Sequence, residues 1–582
     1  MRNKTFISSK YQYMLIGGTI AAVLFSLMFM TDTLVAGILL GEKAVVGVNL
    51  ITPIYSLTTF AAMIISLGVP ILYNQEMGAF QREEANRTFG TGLVLSLITG
   101  GVLFLSLSLF GDTWLTLYNP DVETLQNAQE YLSWMKFVAL VMPIEELLFG
   151  MVYADGDEQV STAGNMLSAA GNLVLSFFLC RSIGIKGLAL GSFVSLLLSI
   201  AIQFLHFLRK SNTLRLHLAF SFRKVINILK YSMVDSCSYL FLFVFTAVMN
   251  RYISFAFGSG MLILVSVISL LKETQLVFDG IGEAFTPIMN IYLGEENYFG
   301  VREVWRLARK TANIEALTVS GLLLVFAPQI TSLLDIQDPE VFRLSIIGLR
   351  IISLSLVFTC HLYLDASYDI LIDKIPLGIL VSALRDMLLP LSFAMLGGFV
   401  SGITGMFVGL MLSQPAAYLL SYVVVWMRYG KENYPLFIAD KEKGRKYKVY
   451  EFTATPEQIV QLRDQIGGML KQNDYSARMI NRTELLFEEL FLEVAERNGE
   501  KEVLAECTIE MGEQIRLITK DDGVIFDQTD ADRRVESFHG YVISRLTGVL
   551  TPTRVHFLAL SFNRNVFEIR NDDFYDSSLW LK

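Results

Sequence analysis

Apolar stretches long enough to cross about 30 Å of hydrocarbon recur along the chain as far as residue 427, and they constrain the fold more than any other feature. In lipid such segments satisfy their backbone groups only within helices or closed barrels. At this length they predict helices, near 12–40, 50–73, 88–110, 130–153, 160–181, 186–208, 228–252, 261–291, 312–334, 343–371, 376–399 and 402–427. Charge divides the chain at the same place. From residue 435 onwards, 46 of 148 residues are Lys, Arg, Asp or Glu, against 57 of the 434 before it, so a membrane block precedes a domain that faces water. The net charge of −9 offers no basic surface for nucleic acid. Cys180, Cys237, Cys360 and Cys507 have no paired spacing, which disfavours a disulfide scaffold or a thiolate metal site.

Twelve spans leave both termini on one side of the cytoplasmic (plasma) membrane. The loop after the sixth span carries Arg209, Lys210, Arg215, Arg223 and Lys224, and the one after the eighth carries Arg302, Arg306, Arg309 and Lys310, whereas 111–129 has no Lys or Arg. The positive-inside rule then puts both termini, and the domain beyond residue 434, in the cytoplasm. The first apolar segment lacks a small-residue cleavage pattern, so no cleavable signal peptide is expected.

An internal repeat joins the spans into halves. Gly184-Ile-Lys-Gly-Leu-Ala-Leu-Gly191 recurs as Gly402-Ile-Thr-Gly-Met-Phe-Val-Gly409, a shift of 218 that also carries Asp155 onto Asp373, while a shift of 216 carries Gly78 onto Gly294. Two six-helix lobes in parallel order are what a transporter built from repeats presents. The expected architecture is an all-α polytopic membrane protein plus a cytoplasmic α+β sandwich domain. Its parts are an N-terminal lobe at 1–208, an inter-lobe loop at 209–227, a C-terminal lobe at 228–428, a basic linker at 429–449 and the cytoplasmic domain at 450–582.

Ionisable groups inside spans mark functional sites, because a lone charge in hydrocarbon is costly. Asp32 lies in the first span with apolar residues on both flanks; the alternative is an Asp at the membrane edge. Lys272, Asp279 and Glu283 fall at i, i+7 and i+11 on the eighth span, one face of a continuous helix. Asp365 and Asp369 are four apart on the tenth, and Asp235 is on the seventh. These acids outnumber the one Lys, which argues for cation attraction or protonation against an ion-pair network that merely neutralises Lys272.

Several motifs carry a resemblance to a known family. Met30-Thr-Asp-Thr-Leu-Val-Ala-Gly-Ile-Leu-Leu-Gly41, Gly68-Val-Pro70, Glu76-Met-Gly78-Ala79, Ala154-Asp-Gly-Asp157, Gly171-Asn-Leu-Val-Leu-Ser176 and the paired Gly-Ile-x-Gly sequences resemble the multidrug and toxic-compound extrusion (MATE) family over about residues 10–428. The resemblance implies a twelve-helix antiporter that exports organic cations and other amphiphiles in exchange for protons or sodium by rocking two lobes around a central cleft. It matches Asp32 to a first-span acid implicated in coupling and Asn172 to the Asn of an Asn-x-x-x-Asp pattern whose Asp position is Ser176 here. One carboxylate fewer weakens the pull on a cation at that site. Asp235, Asp365 and Asp369 lie on helices that carry the cation site in sodium-coupled members, and as buried oxygen ligands they suit sodium or a proton.

Beyond the spans, the basic run Lys441–Lys448 suits anionic headgroups. Helices are expected at 455–470, 475–497 and 540–550, and strands at 502–509, 513–519, 553–560 and 565–570. The acidic helix around Glu484–Val494, Asp521-Asp-Gly523 and Ser561-Phe-Asn563-Arg-Asn565 together resemble the histidine-kinase-like ATPase fold of anti-sigma-factor kinases. In that resemblance Asp521 and Gly523 fall on the adenine-reading Asp-x-Gly and Glu489 on the helix acid. Glu493 replaces the metal-binding Asn, and Gly540 is the clear remnant of the Gly-rich lid. ATP with Mg²⁺ is thus a candidate ligand with an impoverished phosphate cradle.

Three functions compete on these observations. The leading one is ion-coupled export of small amphiphilic or cationic compounds, with H⁺ or Na⁺ as coupling ion, no required cofactor, no enzymatic activity of the whole chain and a cytoplasmic regulatory protein as a partner of the last domain. A flippase for lipids or lipid-linked saccharides would need several cations in its cavity, yet the span interiors offer mainly Lys272, Arg350 and Arg385. The third is a membrane-anchored signalling protein with the nucleotide-binding-like domain as its output.

Overall fold

The computed structural model describes residues 5–78, 81–209, 212–215, 220–430, 446–499, 501–512, 514–526, 528, 537–547 and 562–569, with the side chains of Ala21, Gly78, Val234 and Asp235 outside this set. The chain forms two compact units, one comprising 17–286 and 308–428, the other 1–16, 287–307 and 429–582.

Fourteen α-helices precede the first described strand: α1 Phe6–Leu40, α2 Glu42–Gly78, α3 Arg82–Thr116, α4 Val122–Ala154, α5 Glu158–Ile183, α6 Lys186–Gln203, α7 Phe222–Phe257, α8 Ile263–Thr274, α9 Asp279–Gly294, α10 Tyr298–Ser332, α11 Pro339–Ser353, α12 Leu356–Leu371, α13 Ile375–Ala383 and α14 Leu389–Arg428. Their starts are written locally: Asp121, Asp157 and Asp338 each cap the backbone N–H groups of the turn that follows, and Pro339 opens α11 where its missing N–H costs nothing. Among the described residues ten helical stretches are long and apolar enough to cross a membrane, or eleven when α11 and α12, bent by 49°, count as one.

One of those stretches, Ile375–Arg428, has 54 residues and at 1.5 Å per residue would be about 80 Å long. It breaks at Ser401 and at Gly402, where φ is 63° and ψ −151°. Gly184, between α5 and α6, has φ 70° and ψ −153°. The two copies of the Gly-Ile-x-Gly sequence therefore make the same helix break, at a positive φ that glycine adopts without the Cβ clash of other residues. The repeat extends to the other landmarks. Gly78 and Gly294 end α2 and α9, Asp155 caps the end of α4, and Asp373 follows α12 with φ 59°.

The eighth span departs from expectation. A 3-10 turn at Gln275–Phe278 separates α8 from α9, so Lys272, Asp279 and Glu283 do not share the face of one continuous α-helix. Similar local rewinding extends α6 as a 3-10 turn at Phe204–Leu208 and joins α13 to α14 through a π-turn at Leu384–Leu388.

The other unit holds an antiparallel sheet in the order β1 Lys446–Thr453, β2 Leu504–Met511, β3 Ile515–Asp521, β4 Asn563–Ile569. The helices α15 Pro456–Gln472, α16 Ala477–Asn498 and α17 Phe538–Leu546 accompany it. Side chains alternate across each strand. Tyr450, Phe452, Ala505, Cys507, Ile509, Ile515, Leu517, Phe567 and Ile569 point to a core shared with Ile459, Ile466, Leu486, Phe487, Leu490 and Phe491 of α15 and α16. Strand β1 falls partly inside the stretch expected to be linker. Its Lys-Tyr-Lys-Val-Tyr-Glu-Phe-Thr alternation was masked by the basic residues around it. The expected strand at 553–560 and the start of the basic run, 441–445, lie outside the described residues.

The opposite sheet face is polar, and it closes on 287–307 and the first residues of the chain. Lys520, 1% exposed, lies 2.6 Å from Glu295 Oε2 and 2.7 Å from Glu506 Oε1. Arg564 Nε donates to Glu295 Oε1 at 2.7 Å, and the Tyr292 hydroxyl donates to Glu506 Oε2 at 2.6 Å. Asn297 donates to Thr508, Glu451 accepts from the Ile7 N–H, and the Phe6 and Phe562 rings meet edge to face. Two acids and two bases therefore balance in a buried cluster. Removing one member of such a cluster leaves uncompensated charge. Lys520→Ala should lower the stability of this unit by about 3–5 kcal/mol, read from hydrogen exchange of β2 and β3 in the full chain. Adding Glu506→Gln should restore part of the loss, and a loss no larger than the about 1 kcal/mol of a surface pair would contradict this balance.

Candidate functional site

Asp32 is held by three hydroxyls from three helices. Tyr131 of α4 donates to its Oδ2 at 2.6 Å, Ser176 of α5 to Oδ1 at 3.1 Å and Ser192 of α6 to Oδ2 at 3.3 Å. Asn172 of α5 donates from Nδ2 to Ser192 Oγ at 2.7 Å. The structure brings Asp32, Asn172 and Ser176 together with Tyr131 and Ser192. Local packing explains the meeting of α5 and α6: a Cβ at Gly191 would lie 2.6 Å from the Ser176 backbone N and 2.8 Å from its Oγ, so only glycine lets Ser176 come this close.

Ser176 stands where the resemblance has a second acid, and here it is a donor to the first. Both serine hydroxyls have an alternative acceptor in the Leu188 carbonyl, at 3.2 Å from Ser176 and 3.3 Å from Ser192. A hydroxyl has one proton to give. With Asp32 ionised the two serines serve the carboxylate; with Asp32 protonated their hydroxyls can turn toward Leu188 while a serine oxygen accepts the new acid proton.

Asn172 and Ser192 also line a cavity of about 300 Å³, with Phe25, Tyr55, Met142, Glu145 and Glu146. Met63, Tyr239, Leu276, Asp279 and Glu283 are shared with an adjoining cavity of about 430 Å³ that Lys272, Tyr363, Arg385 and Asp386 border. Despite the break in their helix, Lys272, Asp279 and Glu283 meet at this second cavity. At its basic end two cations share one carboxylate: Arg385 makes two hydrogen bonds to Asp386, at 3.0 and 2.6 Å, and stacks 3.4 Å from the Tyr363 ring centre, while Lys272 Nζ lies 3.8 Å from Asp386 Oδ1. Glu145 and Glu146 lie mid-span in α4 and escaped the sequence reading, although the criterion that singled out Asp32 applies to them equally.

The remaining candidates lie elsewhere. Asp365 and Asp369 are buried on α12, but the cavity-facing residues of that helix are Tyr363, Ala366, Ser367 and Ile370. The side chain of Asp235, on α7, is outside the described residues. Arg350 donates to the Leu324 carbonyl and lines neither cavity, so Lys272 and Arg385 are the cations found at these two cavity walls.

In the sheet unit, Asp521 ends β3 and accepts hydrogen bonds from the Gly523 N–H at 3.0 Å and Asn563 Nδ2 at 2.8 Å. Burial pushes its carboxyl up to about 6, against the pull of those donors. A Cβ at Gly523 would lie 2.5 Å from Asn498 Nδ2. Glu493 pairs with Arg497 at 3.1 Å and accepts from Gln528, and Glu489 pairs with His539 Nδ1 at 2.6 Å. Gly540 donates its N–H to Ser537, the cap of α17. Every acid proposed for nucleotide recognition has a partner from its own unit.

These features can be set beside known proteins. A family model described as MatE matches residues 19–178, which hold Asp32, Glu145, Asn172 and Ser176. A solved structure titled as the inward-facing conformation of a multidrug resistance MATE family transporter of the MOP superfamily is similar at 19% identity, over 73% of this chain and 99% of that one, with a TM-score of 0.65. An outward-facing counterpart is similar at 20% identity, over 72% and 95%, with a TM-score of 0.59. A MOP superfamily transporter from Pyrococcus furiosus, whose title describes a binding pocket of reverse polarity and suggests a different function, is similar at 19% identity, over 72% and 95%, with a TM-score of 0.59. No curated protein matches the chain. The membrane part therefore has the MATE transporter fold, while these comparisons give no support to a histidine-kinase-like ATPase fold in the C-terminal domain.

His539 offers a direct test of the sheet unit. Burial lowers its affinity for a proton, but the Glu489 and Glu496 carboxylates outweigh that and raise it above the ordinary imidazole value. The stabilisation is therefore complete below the ordinary imidazole value and is lost as pH rises through the raised one. Hydrogen exchange over 538–546 should accelerate across that window beyond the intrinsic trend, and Glu489→Gln should remove most of the excess. An equal pH dependence in both proteins would contradict the pairing.

Proposed function

We propose that this chain is a secondary active antiporter that exports organic cations or drug-like amphiphiles in exchange for H⁺ or Na⁺. The observation that carries the reading is a cavity walled by Phe25, Tyr55, Met142 and Tyr239 and bordered by Glu145, Glu146, Asp279 and Glu283, with the Asp32 cluster behind Asn172 and Ser192. Apolar and aromatic walls suit a greasy, adaptable ligand, and carboxylates in a low-dielectric wall attract a cation. The MATE fold supports the same reading. So does counting α11 with α12 as one span and the break at Gly402 as the end of one span and the start of the next, which takes the ten long stretches to twelve, in two six-helix lobes.

In this mechanism Asp32 is the coupling acid. Its ionised form accepts the three hydroxyl donors and adds negative charge beside the cavity. Loading it with a proton, or neutralising it with sodium, removes that charge and returns Ser176 and Ser192 to Leu188. The cavity then holds a cation less strongly, so ion entry and substrate release are linked. A flippase for anionic lipid heads finds less support, since Arg385 is already committed to Asp386 at the cavity wall.

The C-terminal unit acts on this reading as a regulatory module, with both chain termini cytoplasmic, and does not drive transport by ATP hydrolysis. Asp521 could still read an adenine amine, but Glu493 adds negative charge where phosphates would lie. ATP binding by the full chain should be weak, with or without Mg²⁺. Micromolar affinity lost in Asp521→Ala would overturn that part.

Asp32→Asn keeps the size and hydrogen-bonding capacity of the side chain and removes its titratable charge. In proteoliposomes with imposed pH or sodium gradients, uptake of tetraphenylphosphonium by the variant should fall by about tenfold or more while the protein stays folded and inserted. Wild-type rates in the variant would sink the assignment of Asp32. Transport by the wild type that needs ATP and no ion gradient would sink the antiporter.

A further inference from the structure

One face of the sixth span carries polar groups from the Asp32 cluster to the end of the helix. Ser192, Ser195, Ser199 and Gln203 lie on α6 and its 3-10 extension adds His206, at spacings of three, four, four and three residues. At about 100° per residue these five positions fall within about 80° of one another, and they climb roughly 20 Å of helix. They are 7%, 1%, 0%, 0% and 0% exposed, while Leu197, Leu198, Phe204 and Leu205 point outward.

Each rung of this ladder has a definite neighbour. Ser192 donates to Asp32, and Ser195 donates to the Ser192 carbonyl at 2.8 Å. Ser199 donates to Glu145 Oε1 at 2.5 Å, and Gln203 Nε2 to the Ser161 carbonyl at 3.2 Å. His206 lies between two carboxylates, with Nε2 2.8 Å from Asp155 Oδ2 and Nδ1 2.9 Å from Asp157 Oδ2. Small residues are common where membrane helices pack, and that accounts for the serines. It does not account for a fully buried His between two acids, nor for Gln203 Oε1 and Asn172 Oδ1, which are buried acceptors without a donor. An unmet acceptor in such a place is a seat for a transient donor. Gly164 of α5 lets Gln203 and Ser199 pack against its backbone, since a Cβ there would lie 2.6 Å from Gln203 Nε2 and 3.2 Å from Ser199 Oγ.

We propose that this face of the sixth span is a proton path linking Asp32, through Glu145, to His206. The inference rests on the antiporter reading above and takes its proton branch: the oxygens around Asp32 converge and suit either ion, but groups strung out along a helix can pass on only a proton. A proton leaving the Asp32 carboxyl passes to the Ser192 oxygen as that hydroxyl releases its own proton onward, so no charge remains on serine. Water in the cavity beside Ser192, Ser195 and Glu145 can carry the intervening hop. From Glu145, which holds the proton as a carboxylic acid, Ser199 relays it by the same exchange of one hydroxyl proton for another. A water bound to the unmet Gln203 Oε1 carries it to a His206 ring nitrogen, and the ring gives up a proton past Asp155 and Asp157. The reverse order loads Asp32.

Other charged and titratable groups set the field along the route. Tyr55, Tyr131, Cys180 and Glu273 act on or respond to Asp32, and Glu146 adjoins Glu145. At the far end Arg209 pairs with Asp157 at 2.8 Å, while Tyr73 and Thr213 bond Asp155.

The test uses the full chain in proteoliposomes with tetraphenylphosphonium as the probe and a pH dye inside. Net uptake driven by a pH gradient requires protons to cross, whereas exchange of labelled for unlabelled probe at equal pH does not. His206→Gln should lower the ratio of net uptake to exchange by about tenfold or more, and imidazole supplied on the His206 side of a His206→Ala protein should restore part of it. Gln203→Leu, which leaves both carboxylate pairs of His206 in place, should lower the same ratio and carries the test if the His206 variants do not fold. An unchanged ratio in the variants, or equal loss of uptake and exchange, would overturn the path and leave the antiporter standing. Sodium-driven uptake with no response to pH would overturn the path as well, and absence of wild-type uptake under either gradient would overturn both.

Discussion

A carboxylate inside a hydrocarbon layer has to be compensated, and much of this membrane unit can be read as the means of doing so for Asp32. An isolated charge in hydrocarbon costs several kcal/mol. The cost is met by hydroxyls on α4, α5 and α6, so one side chain on α1 fixes the relative placement of four helices. Leu188 gives two of those hydroxyls a second acceptor. The site therefore has two satisfied arrangements that differ by one proton, which is the physical requirement for a switch: each state must be free of orphaned polar groups.

The backbone breaks at Gly184 and Gly402 serve the same end. Each lets two apolar helices fold back on each other, and the following glycines bring their backbones close enough for small polar side chains to touch. Ser176 reaches Asp32 only because Gly191 has no Cβ. Repetition of the motif gives the second half the same hairpin, but there two cations, Lys272 and Arg385, stand at the cavity beside Asp279, Glu283 and Asp386. The two halves share a fold and differ in charge.

Much of this was legible in the sequence. Long apolar runs gave the place of the helices but not their ends, since α10 begins at Tyr298 where the apolar run begins near 312, and the period between the two Gly-Ile-x-Gly copies marked the repeat because identical backbone breaks require identical glycines. Asp32, Asn172 and Ser176 were found through motif order. Glu145 and Glu146 were missed although they stand in the same kind of apolar surroundings, and the breaks within the eighth and eleventh spans left no Pro or Gly at the turns themselves to announce them. Strand β1 was hidden by its lysines. The polar face of the sheet could not be foreseen either, since Lys520 and Glu506 find their partners at Tyr292 and Glu295, more than 200 positions away.

The central claim is that Asp32 exchanges a proton as the cavity exchanges its substrate. Proton counting during ligand binding tests it most directly: purified protein in weakly buffered detergent solution is titrated with tetraphenylphosphonium while released H⁺ is followed with a pH dye. The account predicts about one proton released per cation bound, in a pH range where Asp32 is loaded beforehand, and none from Asp32→Asn. Saturable binding that releases no proton at any pH in the wild-type chain, or the same release from both proteins, would contradict it.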